Sequence, residues 1–316
     1  MKALQANVDA MDAELVLPTL MGIMSQVPVP ADSPMAQALD VLSTWDYSLH
    51  TGLTEGWDAG SSPTMMVPPS LEQVRNSAAA TVFAMWRSML VQNTIYATLE
   101  AIGLGDYLPD SRAAYRAFAH HLKNYPTAGG VGASGIPFFS QGLGETVAYS
   151  LQQALDMLAS DEFAPAYANS TNVTDYAWGK LHRIVFNHTL SGPFNIPNWG
   201  PFMDLSPELP GLARQGGFDV LDASGHSVTA DGLNEFMFGS GPARRFVADM
   251  GPVAVNAQQM IAGGQSGVVT SPNYGGGLSL WLTNTYHPMA LGEEDAAGVA
   301  VKVTTFGPLT PAPASE

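Results

Sequence analysis

The chain has 316 residues, 46% of them hydrophobic and 13% charged, where an average soluble protein carries about 25% charged residues. That composition supports a packed core and excludes both a disordered chain and a coiled coil. Twelve basic residues against twenty-eight acidic ones leave a net charge of −16, which excludes nucleic acid and anionic membrane surfaces as partners.

The opening decapeptide has no apolar signal core and soon meets Asp9, Asp12 and Glu14, so it does not read as a signal peptide. A helix is expected over Met11–Ser25, where Leu15, Leu17, Leu20 and Met24 recur and Pro18 forces a kink or an early turn. Ser33-Pro34 caps a second, running to about Trp45. The longest runs from Ser70 to about Ile102. Ser70-Leu71-Glu72-Gln73 forms its capping box and Gly103 ends it. Further helices are expected over Asp110–Leu122 and Glu145–Ala159, with loops at Pro63–Pro69, Tyr125–Pro137 and Pro165–Thr174.

The chain then changes character. Leu181–Asn187, Phe218–Leu221, Arg245–Met250, Val253–Ile261, Leu278–Leu282 and Val299–Phe306 are rich in β-branched and aromatic residues, and read as strands. Helices first and strands later indicate an α+β fold, not an alternating doubly wound sheet. The boundaries expected are a helical part over 1–175, a β-sheet part of the same domain over 176–306, and a flexible tail over 307–316. No apolar run reaches the roughly 18 residues of a membrane span.

Local motifs offer little chemistry. Cysteine is absent, which removes disulfides, Cys–zinc sites and thiol nucleophiles. Gly130-Val131-Gly132-Ala133-Ser134-Gly135 matches the dinucleotide fingerprint by letter, but the strand before and helix after are missing, so it reads as a loop. No Gly-x-Ser-x-Gly occurs, and Gly264-Gln265-Ser266-Gly267 reads as a tight turn between two strands. His182 and His188 on one extended strand would stand roughly 20 Å apart, too far to share a metal. Arg245 and Asp249 fall on one strand face. An edge-strand charge pattern is the plain reading of that spacing, and a carboxylate orienting a catalytic base is the functional one.

Several segments together resemble the penicillin acylase family of N-terminal nucleophile hydrolases. They are Ala262-Gly263-Gly264-Gln265-Ser266-Gly267 with Ser271-Pro272-Asn273-Tyr274, then Leu280-Trp281 and Tyr286-His287-Pro288. Trp178-Gly179-Lys180-Leu181-His182-Arg183, Gly216-Gly217-Phe218-Asp219-Val220 and Gly241–Asp249 precede them in order, and Leu17-Pro18-Thr19-Leu20 with Leu42-Ser43-Thr44-Trp45-Asp46 opens the series. Asn273 stands where the family usually has histidine, and Gly275-Gly276-Gly277 replaces a segment containing Asp-Gln.

The resemblance implies part of a four-layer αββα fold, covering the C-terminal part of the β chain only. It implies hydrolysis of an acyl amide (a β-lactam side chain, an acyl-homoserine lactone or a lipopeptide) by an N-terminal serine whose own α-amine takes the proton. No Ser-Asn dipeptide occurs here, so no Gly-Ser-Asn processing site does either. The nucleophile, the oxyanion donors and most of the acyl pocket are therefore expected upstream, and this chain alone is expected to be inactive. The implied partners are a small acyl amide and the missing segments: the α chain and the N-terminal part of the β chain. No cofactor is implied beyond the calcium that some members bind through upstream residues. The implied location is periplasmic or secreted, with the signal peptide on the missing α segment. Asp249, in Arg245-Phe246-Val247-Ala248-Asp249-Met250, is implied to be a carboxylate that positions a histidine near the nucleophile. The competing reading is a non-catalytic binding or assembly module that keeps half of the fold, which should carry a polar outer sheet face.

Overall fold

The computed structural model describes residues 1–190, 192–197, 202–252 and 255–307. Ten α-helices are found among these residues. A short α1 (Lys2–Gln5) precedes α2 (Met11–Met24), α3 (Pro34–Ser43) and α4 (Leu71–Val91). One π-helical turn, Gln92–Tyr96, joins α4 to α5 (Ala97–Ala101), followed by α6 (Ser111–Ala128), α7 (Leu143–Leu158) and α8 (Ala164–Tyr167). Strands β1 (Arg183–Ile184), β2 (Leu212–Ala213), β3 (Arg244–Met250) and β4 (Val255–Ile261) come next, then α9 (Leu278–Leu282), β5 (His287–Pro288) and α10 (Glu293–Val299). The α+β class expected from the sequence is the class observed.

Local sequence explains the helix ends. Ser33 and Ser70 accept from the backbone N–H groups of Ala36 and Gln73, and Gln73 Oε1 accepts in turn from the Ser70 backbone N–H, closing the capping box. Asp110 Oδ1 accepts from the N–H groups of Arg112 and Ala113, and Gly129 at φ 61° ends α6. Helix α2 includes Pro18 without ending there, so the early turn does not occur, and α6 continues past Leu122 through Pro126 to Ala128, where a loop was expected.

Helix α4 is the axis of the fold. Every residue from Asn76 to Val91 is buried, because Ala78, Ala79, Ala80 and Ala84 are small enough for neighbouring helices to approach on several sides. Phe83, Met85 and Trp86 pack there with Leu20 of α2, Phe118 of α6 and Leu151 of α7. The Trp86 indole N–H donates to the Val147 carbonyl at 3.1 Å. A second, smaller core gathers Ile184, Phe202, Leu212, Met260, Leu278 and Trp281.

The sheets are small. β1 pairs antiparallel with β2 through Arg183↔Ala213 and Ile184↔Leu212. β3 and β4 pair antiparallel over seven residues, from Arg244↔Ile261 to Met250↔Val255, and β5 joins β4 at Gln258↔Pro288 and Gln259↔His287.

Three expected strands are absent. Phe218–Leu221 is a turn with Asp219 at φ 57°, and Phe218 is buried beneath the Arg87 guanidinium. Leu278–Leu282 is helical: Leu278, Trp281 and Leu282 share its buried side, and five residues cannot separate that period from strand alternation. After α10 ends at Val299, residues 300–307 run irregularly and exposed, because β-branched residues form no strand without a partner to pair with. The expected strand Leu181–Asn187 shrinks to Arg183–Ile184, with a lone bridge from Phe186 to Ile196. Residues 253–254 of the expected strand Val253–Ile261, and 308–316 of the expected tail, lie outside the described residues.

Candidate functional site

The segment from Ala262 to Tyr274 carries the loop that leads from β4 toward α9. The Gly264 N–H donates to the Tyr274 carbonyl at 2.8 Å and the Ser266 N–H to that of Asn273 at 3.3 Å, which folds the loop back on itself. A Cβ on Gly264 would lie 1.7 Å from the Asn273 oxygen, and one on Gly277 2.5 Å from that of Ile261. Both positions require glycine for this close backbone approach. Ser266 and Ser271 accept from the N–H groups of Val268 and Asn273. The Gly-Gln-Ser-Gly run therefore turns from a strand toward a helix, not between two strands.

This loop walls a cleft of about 630 Å³ with a mixed lining, in which Gln259, Gln265, Ser266, Asn273 and His287 stand beside Ile261 and Leu280. A second cleft, of about 490 Å³, is apolar. Trp57, Met65, Met66, Val67 and Phe202 line it, and the Trp57 and Phe202 rings lie 5.8 Å apart. The two clefts share Gly276.

The other conspicuous motif is architectural. Trp178 donates its indole N–H to the Gly216 carbonyl at 2.7 Å and its backbone N–H to Ser77 Oγ at 2.6 Å. Gly179 lies too close to Thr51 for any side chain. His182 stacks flat on Trp178, with ring centroids 5.4 Å apart. Its Nδ1 donates to the Phe236 carbonyl at 2.9 Å, and burial pushes its pKa down to about 3, so it is a neutral core imidazole. Arg183, also buried, donates to the Lys180 and Pro210 carbonyls. Among the described residues, no group of three or more His, Asp or Glu could hold a metal ion.

Sequence reasoning missed three buried ion pairs, two of which share Asp222. Asp222 accepts from Arg214 at 2.7 Å and also from Arg245, and the Arg214 and Arg245 guanidiniums lie 4.4 and 5.0 Å from the Trp281 ring. Burial lowers Arg214 to about 10, although Asp222 opposes the shift. Asp12 of α2 pairs with Arg87 of α4 at 2.6 Å, and burial raises the Asp12 carboxyl despite that arginine. The partner of Arg245 is thus Asp222, which lies outside the strand and whose burial no local pattern announces. Asp249 sits opposite Asn256 near the end of the hairpin and is exposed.

The penicillin amidase family matches residues 1–298. The chain belongs to that family. No curated protein matches it. Among solved structures it is similar to a thermostable penicillin G acylase from Alcaligenes faecalis, with a TM-score of 0.52 and 14% identity. That likeness extends over 97% of this chain and 48% of the acylase, so the chain spans about half the length of this relative. Among the described residues, no helix is long and apolar enough to cross a membrane.

Proposed function

We propose that this chain is the C-terminal portion of an amidohydrolase that cleaves an acyl amide, with the attacking N-terminal serine supplied by a segment outside these 316 residues. The family match over residues 1–298 carries this reading. In the proposed reaction the serine hydroxyl attacks the amide carbon, its α-amine takes the proton and passes it to the leaving amine, and water then hydrolyses the ester. Candidate acyl donors are a β-lactam side chain, an acyl-homoserine lactone and a lipopeptide. Export to the periplasm or beyond belongs to the same proposal.

The outer face of the β3–β4 hairpin supports an incomplete fold over a self-sufficient module. Phe246, Met250, Val255 and Ile261 share that face with Arg244 and Gln259, and the four apolar residues are all exposed, Met250 by 76%. Four exposed apolar side chains on one face suit a surface that another element covers. Asp249, exposed at the same end but on the opposite face of the hairpin, is proposed to position the histidine near the nucleophile in the complete protein.

The test is to express the chain together with the coding sequence upstream of Met1. Self-processing to a new N-terminal serine and hydrolysis of acyl amides are expected, with no turnover by the 316-residue chain alone. Turnover by that chain alone would overturn the reading, as would an assembled protein that hydrolyses no acyl amide. Asp249→Asn in the processed protein should slow acylation with folding unchanged; a rate within about twofold of wild type would assign it a structural role instead.

A further inference from the structure

Helices α2 and α6 border a cleft of about 370 Å³ beside the Phe218–Asp219 turn. We infer that this cleft binds a free α-amino acid with an apolar side chain. Arg112 and Arg116 hold the carboxylate, Asp219 holds the ammonium, and Met11, Leu15 and Phe218 receive the side chain. The inference goes beyond the amidohydrolase reading and does not depend on it.

The charges point to a ligand that carries both signs. Of the chain's eight arginines, four stand in ion pairs with Asp40, Asp12 and Asp222. Arg112 and Arg116 have no ion pair and no side-chain hydrogen bond among the described residues, in a chain with twenty-eight acids. They stand one turn apart on α6, and both line the cleft. Arg112 lies in the first turn, where the helix dipole disfavours a cation, so helix stability does not explain it. Its guanidinium lies over the Phe218 ring at 5.6 Å, which keeps it at the cleft wall. Two guanidiniums side by side suit a carboxylate. Asp219 lines the same cleft and pairs with neither arginine. Asp12, the other acid on the wall, is buried and bound to Arg87, so Asp219 is the acid left for an ammonium.

The rest of the lining is apolar. Met11 and Leu15, one turn apart on α2, are 52% and 66% exposed, and with the buried Phe218 they offer surface to an aliphatic side chain. The volume lies within the range of small-molecule sites, roughly 300–1,000 Å³.

The charged groups can be changed without touching the core, since Arg112, Arg116 and Asp219 are all exposed. Asp219 adopts φ 57°, a left-handed conformation that asparagine tolerates as aspartate does. Asp219→Asn therefore removes the charge and keeps the turn. Arg116→Gln removes a guanidinium that has no partner to lose.

Binding is measured by calorimetric titration of the purified chain with leucine, glycine, N-acetylleucine and leucinamide. Leucine should bind about tenfold more tightly than glycine. N-acetylleucine lacks the ammonium and leucinamide lacks the carboxylate, and each should bind at least about threefold more weakly than leucine. Arg116→Gln and Asp219→Asn should each weaken leucine binding by a similar factor, with the unfolding midpoint of the free chain unchanged. The losses should be selective: Arg116→Gln should not weaken leucinamide, and Asp219→Asn should not weaken N-acetylleucine. No binding of leucine up to about 10 mM, equal affinity for leucine and its two blocked forms, or wild-type leucine affinity in either variant would each overturn the proposal. So would glycine binding as tightly as leucine, which would leave the apolar wall without a role. N-acetylleucine binding as tightly as leucine, lost in Arg116→Gln and kept in Asp219→Asn, would overturn it in favour of a site for carboxylates alone.

Discussion

Acidification should destabilise the fold through its buried neutral histidines. His182 is fully buried against Trp178, and burial holds its pKa at about 3. Unfolded, the same imidazole returns to about 6.5. Between these values the unfolded chain binds the extra proton, so stability rises with pH and is lost as pH falls from about 6.5 toward 3. From pH 7 to pH 5 one such group gives up about 2 kcal/mol. His226, 5.9 Å from His182 between ring centroids, is displaced the same way, by burial first and then by Arg87 and His182. It adds a loss of the same sign. Asp12 acts in the opposite sense: its carboxyl is raised by burial, so its contribution grows as pH falls. The measurement is therefore a difference. Urea unfolding of wild type and of His182→Gln is compared at pH 7 and pH 5. The variant starts less stable, but its loss between the two pH values should be smaller than that of wild type by about 2 kcal/mol. Equal losses, to within about 0.5 kcal/mol, would show that His182 is not held neutral by burial.

Asp222→Ala leaves the Arg214 and Arg245 guanidiniums buried without their shared acid. It should cost about 3–5 kcal/mol in urea unfolding, and a loss below about 1 kcal/mol would contradict the buried triad. Gly264→Ala forces a methyl group onto the Asn273 carbonyl and should cost at least about 2 kcal/mol, while Gly276→Ala stays within about 0.5 kcal/mol of wild type. Equal effects of the two on thermal unfolding would refute the loop geometry. Phe246→Lys with Met250→Lys, on the exposed hairpin face, should leave the chain's own stability within about 1 kcal/mol but abolish co-purification with the upstream segment. Retained co-purification would place the covering element elsewhere.

The helical half was legible because its signals are local. Ser33, Ser70 and Asp110 cap the helices they precede, and Gly103 sits just past a helix end at positive φ. A cap acts within one turn, so four neighbouring residues suffice to read it. Residue order alone also carried the family, since Gly264 is forced by the Asn273 backbone and Gly179 is crowded by the Thr51 and Leu53 side chains.

What only the tertiary structure decided depends on partners distant in sequence. Leu278–Leu282 became a helix because the second core receives Leu278, Trp281 and Leu282 together, while residues 300–307 found no strand to pair with. Arg245 meets Asp222 across 23 positions and Asp12 meets Arg87 across 75, and burial makes such pairs consequential only once the chain has folded. The two clefts likewise arise where segments near residues 57, 66, 202, 265 and 276 converge. Side-chain periodicity reports which face of an element is apolar; it carries no information on which distant residue that face will meet.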